Sequence, residues 1–529
     1  MATTPTASST HTVPEAVLKG RTFLGHPRGL FLLFLVEMWE RFSYYGMRGL
    51  LVLYLIRAVT GDDKGFNPGR GWSQADASTL YGWYTGLAYL FPILGGIIAD
   101  KLIGTHRSML MGGILIAIGH IILGVSGMGD LAHSQLGMTV FVMGLAVIVL
   151  GTGHFKPCVS VMVGQLYPEG DPRRDGAFTI FYMGINLGAF ICAFVCGTLG
   201  EKVGWHWGFA SAAVGMIAGL LLYTFGRPVV LKGIGEPPGG KESWGLSFMF
   251  LFGSLALAAL FAFSYHHGGL ESVSKLMTPV VLGTLGVIVL GLAIWFIASQ
   301  PAGDRGPVAT IFIFMFFNAF FWIAFEQAGS SLNVFTEQKT DRMLGSFEVP
   351  ATWFQSINAG LIFILAPIFA AVWTNLGKRR LNPSQPVKIA LGLIFLGLGY
   401  VFMVVAGKTA MGSAAKAGMW LVVMTYFWHT VGELCLSPTG LSYVTKAAPV
   451  RFVSLLMGIW FVSSFIANLG GGLVAAKVED IEKGTLKLPW SFGGQADFFF
   501  LFVVTSIGAG LIILALTPVL KPLMRHQDD

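Results

Sequence analysis

Seven charged side chains of this 529-residue chain fall inside apolar runs, where charge is costly. Glu37, Glu40, Arg41 and Arg48 lie in the first run, Lys156 in a later one, and Glu326 and Glu433 in two others. Insertion scales put a charge at the centre of a bilayer at roughly 2.5–3.5 kcal/mol. Seven of them on lipid-facing surfaces would be ruinous, so they must share a polar interior and neutralise one another. Glu37, Glu40 and Arg41 stand at i, i+3 and i+4, which puts them on one helix face, and Arg48 lies two turns farther along it. Two carboxylates beside one guanidinium cannot both be fully compensated. One of them takes up a proton when Arg41 is drawn elsewhere. The chemistry this spacing supports is proton binding and release; a static cluster that only positions helices is the competing reading, and small residues achieve that more simply.

Aromatic and amide side chains flank these charges. Tyr44, Tyr45 and Tyr89 supply hydroxyls, Asn186 and Asn358 supply amides, and Trp322 and Trp460 supply large faces. An amide in mid-span, such as Asn186, needs a polar partner. Covalent catalysis finds no support: there is no His-Glu-x-x-His pattern. Of the histidines inside apolar runs (His120, His154 and His429), none sits beside a Ser or Cys in a catalytic spacing. Cys158, Cys192, Cys196 and Cys435 all lie in apolar segments and read as small packing residues. The expectation is a protein that is not an enzyme, holds no metal and uses no cofactor besides the proton.

The elements that must position these residues follow from composition. Only 12% of residues are charged, against about 25% in soluble domains, while 54% are hydrophobic and mean hydropathy is +0.69. These values exclude a disordered chain, a DNA-binding module and an ordinary cytosolic enzyme. The net charge of +7 is scattered between apolar runs rather than gathered on a face, so it argues for membrane topology and against nucleic acid. Fourteen runs are long enough to cross roughly 30 Å of hydrocarbon: 29–56, 79–99, 108–126, 137–163, 176–199, 206–226, 245–264, 277–298, 308–332, 352–376, 387–406, 417–443, 452–475 and 497–519. With the N-terminus inside, 19 Lys and Arg fall in inner segments and 12 in outer loops, which predicts both termini in the cytoplasm.

The fourteen runs divide further. Those at 245–264 and 277–298 carry no charge and follow a Pro237-Pro238-Gly239-Gly240 linker. Setting them aside leaves six runs before and six after, the arrangement of two bundles that rock about a midplane site. The expected layout is a disordered cytoplasmic tail at 1–27, a six-helix bundle at 28–226, and a linker with two additional helices at 227–303. A second six-helix bundle at 304–520 and a cytoplasmic tail at 521–529 complete it. Gly96, Asp100 and Arg107 between runs two and three have a faint counterpart in Asn375 to Arg380 of the second half.

Glu37-Met38-Trp39-Glu40-Arg41-Phe42-Ser43-Tyr44-Tyr45-Gly46 matches the ExxERFxYYG signature of the proton-coupled oligopeptide transporters, a branch of the major facilitator superfamily. The stretches Gly151 to Pro157 and Asp175 to Gly188 resemble that family's second signature. Phe321 to Gln327, Gln355 to Asn358 and Gly432 to Pro438 resemble its C-terminal motifs, and Gly96, Asp100 and Arg107 form the loop motif of the superfamily. The chain is therefore similar to bacterial members that import di- and tripeptides with protons. The resemblance implies an all-α polytopic membrane protein of the major facilitator fold. It assigns proton coupling to Glu37, Glu40 and Arg41, with Lys156 close by and Glu326 contributing. Arg48 would pair with Glu326 as an outer gate and Lys156 with Glu433 nearer the inside. Arg41 and Lys156 would meet the peptide carboxylate, and Asn186, Asn358 and Glu433 its amino end. Tyr44, Tyr45, Tyr89, Trp322, Trp460 and Ser464 would shape the pocket. Two departures stand out: Phe325 precedes Glu326 where some members have a second acid, and run 79–99 lacks the histidine that others carry. The implied setting is the plasma membrane, the inner membrane of a Gram-negative cell, with the chain working as a monomer. The same scaffold moving nitrate, a drug or a conjugate is the alternative, followed by a non-transporting nutrient sensor.

Overall fold

The computed structural model describes residues 13–61, 66–237, 244–269, 279–412, 415–449 and 452–524. Fourteen helices of at least 19 residues run through them, one for each apolar run. The first six are α1 (Arg28–Ile56), α2 (Gln74–Ile98), α3 (Thr105–Ser126), α4 (Gln135–Gln165), α5 (Arg174–Cys192) and α6 (Trp205–Val230). Then come α7 (Trp244–His266) and α8 (Pro279–Ala298). The last six are α9 (Ala302–Phe325), α10 (Gln355–Lys378), α11 (Gln385–Thr409), α12 (Met419–Ala447), α13 (Val453–Ala475) and α14 (Ala496–Leu523). Among the described residues, eleven helices are long and apolar enough to cross a membrane. Helix α1 falls outside that group because Glu37, Glu40, Arg41 and Arg48 interrupt its apolar stretch.

The packing repeats. In the first bundle α1 lies against α5 and α6, α3 against α4 and α6, and α2 against α4. In the second, α9 lies against α13 and α14, α11 against α12 and α14, and α10 against α12. Each helix of the second set thus makes the contacts of its counterpart eight places earlier. The two sets meet along α2 with α13 and α5 with α10. Glycines make the first of these contacts close: a Cβ on Gly82 would lie 2.9 Å from the Cα of Gly472, and Gly86 faces Phe465 in the same way. Helix α7 packs on the outer face of α4, while α8 touches α9 through Phe296 and Phe312, Phe296 also meets Phe452, and most other described side chains of α8 are exposed.

Two helix breaks lie at the interface of the bundles. Helix α5 passes through a π-helical stretch, Ala193–Gly197, into a short helix, Thr198–Lys202. Helix α9 ends at Phe325, where a 3-10 turn, Glu326–Gly329, leads into Ser331–Lys339. Glu326 therefore sits at a break in its helix, not in an unbroken span as its place in the 308–332 run suggested.

Residues 13–27 depart from the expected disordered tail. They form a helical turn, Glu15–Leu18, and a hairpin that pairs Thr22–Phe23 with His26–Pro27. The reason is burial: Val13 and Val17, four residues apart, pack against the first bundle beside Leu30 and Leu231. His26 Nδ1 and the Tyr167 hydroxyl lie 2.8 Å apart, and Arg173 donates to the Gly25 carbonyl at 3.1 Å. Hydrogen bonds from Arg173 also pull the neighbouring Asp171 carboxyl down to about 2, so it stays charged in acid that would protonate an ordinary aspartate. Residues 1–12, 238–243 and 525–529, which include much of the expected tails and linker, lie outside the described residues.

Close approach of α2 to α4 depends on a proline and a glycine together. Pro157 has no N–H to give the Gly153 carbonyl four residues earlier, leaving that oxygen without its helical hydrogen bond. Gly95 packs against it, and a Cβ there would stand 2.0 Å from the Gly153 oxygen. Because the obstacle is backbone, it cannot swing aside. Overpacking of this kind costs roughly 1–3 kcal/mol. Gly95→Val should lower the thermal unfolding midpoint in detergent by several degrees, while Gly96→Ala, whose Cβ would stand 3.6 Å from the nearest atom, should leave it in place. Equal midpoints would show that the helices do not rely on this contact.

Candidate functional site

The buried charges of α1 are arranged as its spacing requires. Arg41 Nε lies 3.0 Å from Glu37 Oε1 and 2.5 Å from Glu40 Oε2, with all three side chains almost fully enclosed. Neither approach runs along the N–H direction. Both Glu40 oxygens and Arg41 Nε and Nη2 have no hydrogen-bond partner among the described residues. One guanidinium thus serves two carboxylates through its Nε, without the parallel pair of bonds that a bidentate partner would give. The Tyr44 ring lies under the Arg41 guanidinium at 5.5 Å and stacks on Tyr84 at 6.4 Å.

Two turns along, Arg48 reaches the other bundle. It forms an ion pair with Glu326, donates from Nε to the Tyr81 hydroxyl at 2.5 Å, and lies over the Tyr45 ring at 5.6 Å. The helix break at Glu326 lets that carboxylate point back across the interface. Lys156, one residue before Pro157, places its ammonium 3.4 Å from the centroid of the Tyr89 ring, a close cation–π contact. Glu433 of α12 accepts from Asn358 Nδ2 of α10 at 2.8 Å, and the same amide donates to Thr430 Oγ1 at 3.1 Å.

These groups border a cavity of about 240 Å³ between the bundles. Tyr45, Arg48, Tyr89 and Asn186 line it from one side, and Trp322, Glu326, Asn358 and Glu433 from the other. Of the remaining expected residues, Glu37, Glu40, Arg41, Tyr44, Lys156, Trp460 and Ser464 are not on this lining. Trp460 packs against the second bundle's core, with Ser464 one turn on. Lys156 and Glu433 form no ion pair among the described residues: the lysine is taken by Tyr89 and the carboxylate by Asn358. Asp100 sits in a π-helical turn after α2, and Arg107 of α3 is buried under the Trp244 ring of α7 at 4.8 Å. The four cysteines are unpaired and buried.

Several lining or supporting residues were missed from sequence. Tyr81 lies two turns before Tyr89 on α2, a spacing that could have placed both hydroxyls on one face. Gln355 precedes Asn358 by three and Thr430 precedes Glu433 by three, so each signal was present beside a residue already chosen. Tyr182, Thr352 and Tyr426 also line the cavity, and nothing in their local sequence sets them apart from packing residues.

The chain matches the POT family over residues 106–490. It is 39% identical over 526 residues to the peptide transporter YePEPT of Yersinia enterocolitica, covering 96% of this chain and 98% of the relative. It is 35% identical over 520 residues to a di-/tripeptide transporter of Lactococcus lactis, at 96% and 98% coverage. A crystal structure of a mutant peptide transporter POT in complex with alafosfalin superposes with a TM-score of 0.80 at 35% identity, over 98% of this chain and 100% of that one.

The Arg48–Glu326 pair yields a direct test. Removing one member strands the other charge in a dry interior, at a cost of roughly 3–5 kcal/mol. Arg48→Ala and Glu326→Ala should each lower the unfolding midpoint in detergent, whereas the double variant Arg48→Met with Glu326→Leu should recover most of the loss. Single variants as stable as the unchanged chain would show that the two charges do not compensate each other.

Proposed function

This chain belongs to the POT family, and we propose that it imports di- and tripeptides as a proton-coupled symporter working by alternating access. The observation that carries this reading is the charge layout of the interbundle cavity. Arg48 and Glu326 are spent on each other, while Glu433 has an amide partner and no cationic one among the described residues. A short peptide is a zwitterion whose ends separate by roughly 3.5 Å per residue. Glu433, with Asn358 and Asn186 beside it, receives the ammonium end. Lys156 and Arg41 behind the Tyr45 and Tyr89 wall draw the carboxylate end. Trp322, Trp460, Ser464 and the tyrosines bound the space for side chains. Neutral hydrogen-bonding groups between the charged ends suit a ligand whose side chains vary.

Coupling follows from the cluster on α1, where one guanidinium serves two carboxylates. A proton taken by Glu37 or Glu40 cancels one of the two charges that hold Arg41, leaving the guanidinium free to turn toward a carboxylate. Lys156, whose charge is felt by both glutamates, moves in the same sense. One proton crossing 100 mV supplies about 2.3 kcal/mol, and at about 1.4 kcal/mol per factor of ten this supports roughly 40-fold accumulation. The proton is the coupling ion, with no other cofactor. The bundles at 28–226 and 304–520 rock about the cavity. With both termini in the cytoplasm of a plasma-membrane monomer, the Arg48–Glu326 pair lies on the outer side. The parted Lys156 and Glu433 then mark an arrangement shut to the outside.

Labelled dialanine in proteoliposomes tests the reading. Accumulation should appear under an inward proton gradient and vanish with a protonophore, and excess unlabelled dipeptide should abolish it. Glu37→Gln and Glu40→Gln should lose gradient-driven accumulation and keep peptide exchange. No uptake and no exchange would sink the peptide assignment, while full accumulation by both variants would remove the proton site from α1.

A further inference from the structure

One carboxylate outside the cavity, not singled out from the sequence, joins the bundles through three hydrogen bonds. Glu201, in the short helix after α5, is nearly enclosed. Its Oε2 accepts from the Ala351 backbone N–H at 2.9 Å, and its Oε1 accepts from the Thr352 N–H at 2.9 Å and the Thr352 hydroxyl at 2.7 Å. Ala351 opens the 3-10 turn, Ala351–Phe354, that runs into α10. Glu201 therefore caps the start of a helix that belongs to the opposite bundle. The first N–H groups of a helix have no partner within it, and a carboxylate placed there gains both hydrogen bonds and the favourable end of the helix dipole. A cap normally comes from the same chain segment; this one comes from about 150 residues away.

The surroundings are built for the contact. Arg342 Nη1 stands 3.8 Å from Glu201 Oε2 and its Nη2 binds Glu348 at 2.9 Å, while Lys202 binds Glu348 from the first bundle at 3.1 Å. Trp353 Nε1 donates to Thr198 Oγ1 at 2.9 Å. Gly197 lets the two segments meet, since a Cβ there would fall 2.1 Å from Thr352 Oγ1. Gly197 and Thr352 both line the cavity, as do Gln355 and Asn358 on the helix that is capped. When the bundles part at this end, water can replace both sides of the Glu201 bonds, so the contact is reversible.

We propose that Glu201 is a positioning residue for transport: by capping α10 across the interface it draws the outer end shut over the cavity, and it must release α10 whenever the site faces outward. The proposal rests on the transport reading and orientation given above. It acts through Thr352, Gln355 and Asn358 rather than by touching the substrate.

Spin labels at Val203 and Leu344 of the full chain, with the four native cysteines replaced by alanine, report the separation of the two bundles at this end in lipid nanodiscs. Glu201→Gln turns an amide N–H₂ toward a backbone N–H and removes the charge. It should raise the ratio of the longer-distance to the shorter-distance population about tenfold, the effect expected for a small number of charge-assisted hydrogen bonds. Gly197→Ala leaves the carboxylate intact and blocks the approach, and it should move the distances in the same direction. In uptake, Glu201→Gln should lower both turnover and the apparent KM for external peptide, because the outward form is more populated and closes less readily. A merely structural cap would lower turnover and unfolding midpoint without moving distance or KM. Distances unchanged in Glu201→Gln overturn the proposal, whatever Gly197→Ala does. The distance measurement needs no peptide, so failure of dialanine uptake in the unchanged chain would strike the substrate reading alone.

Discussion

Arg48 comes from one bundle and Glu326 from the other, and neither can be left bare in apolar surroundings. Taking an ion out of water costs several kcal/mol even after relaxation, so the two halves are held in contact wherever these charges have only each other. Their burial explains much of the nearby architecture. The helix must break at Glu326 for its carboxylate to reach across, and Tyr81 must supply a hydroxyl to Arg48. The remaining charges obey the same rule with different partners: Arg41 with two glutamates, Glu433 with an amide, Lys156 with an aromatic face. Each partner is one that water or a ligand end group can replace, which separates this polar interior from a permanent structural core.

How much of this was legible depended on whether the signal was local. The fourteen helices were readable because each carries a mostly apolar run of membrane-crossing length, and the Glu37, Glu40 and Arg41 cluster because it is set by one helix's period. Residues 13–27 were not, since Val13 and Val17 gain their order from a surface built by Leu30 and Leu231. The break at Glu326 was hidden because Glu326, Gln327 and Ala328 are good helix formers, although Gly329, Ser330 and Ser331 after them carried a weak signal of it. Which partner Lys156 takes could not be read either: it depends on how the bundles are tilted, and a sequence carries every tilt the protein adopts. Glu201 drew no attention because at a span end a carboxylate looks like ordinary loop charge until its partner across the interface is known.

The uncharged pair α7 and α8 shows a similar limit. Their lack of charge suits lipid contact, and most described side chains of α8 are exposed as that requires. Helix α7 does more: its Trp244 ring covers the Arg107 guanidinium and Phe250 reaches His154. It seals the outer face of α4 next to the segment that carries Lys156 and Pro157. The pair is thus divided in its allegiance, one helix seated on each bundle.

The glycine seam between α2 and α13 has a mechanical consequence. Apart from Phe465, whose ring lies over Gly86 and near Trp83, the contact at Gly82, Gly86 and Gly472 presents almost no side chain where the two halves meet. Interlocking Leu or Phe side chains would have to unmesh at every stroke, each losing dozens of small dispersion contacts. A smooth seam behaves like a bearing: it keeps the halves close while one rolls over the other with little resistance. Resistance to movement is then concentrated in a few polar ties at the end of the molecule. Changing those ties alters the timing of the cycle and leaves the path of the motion as it was.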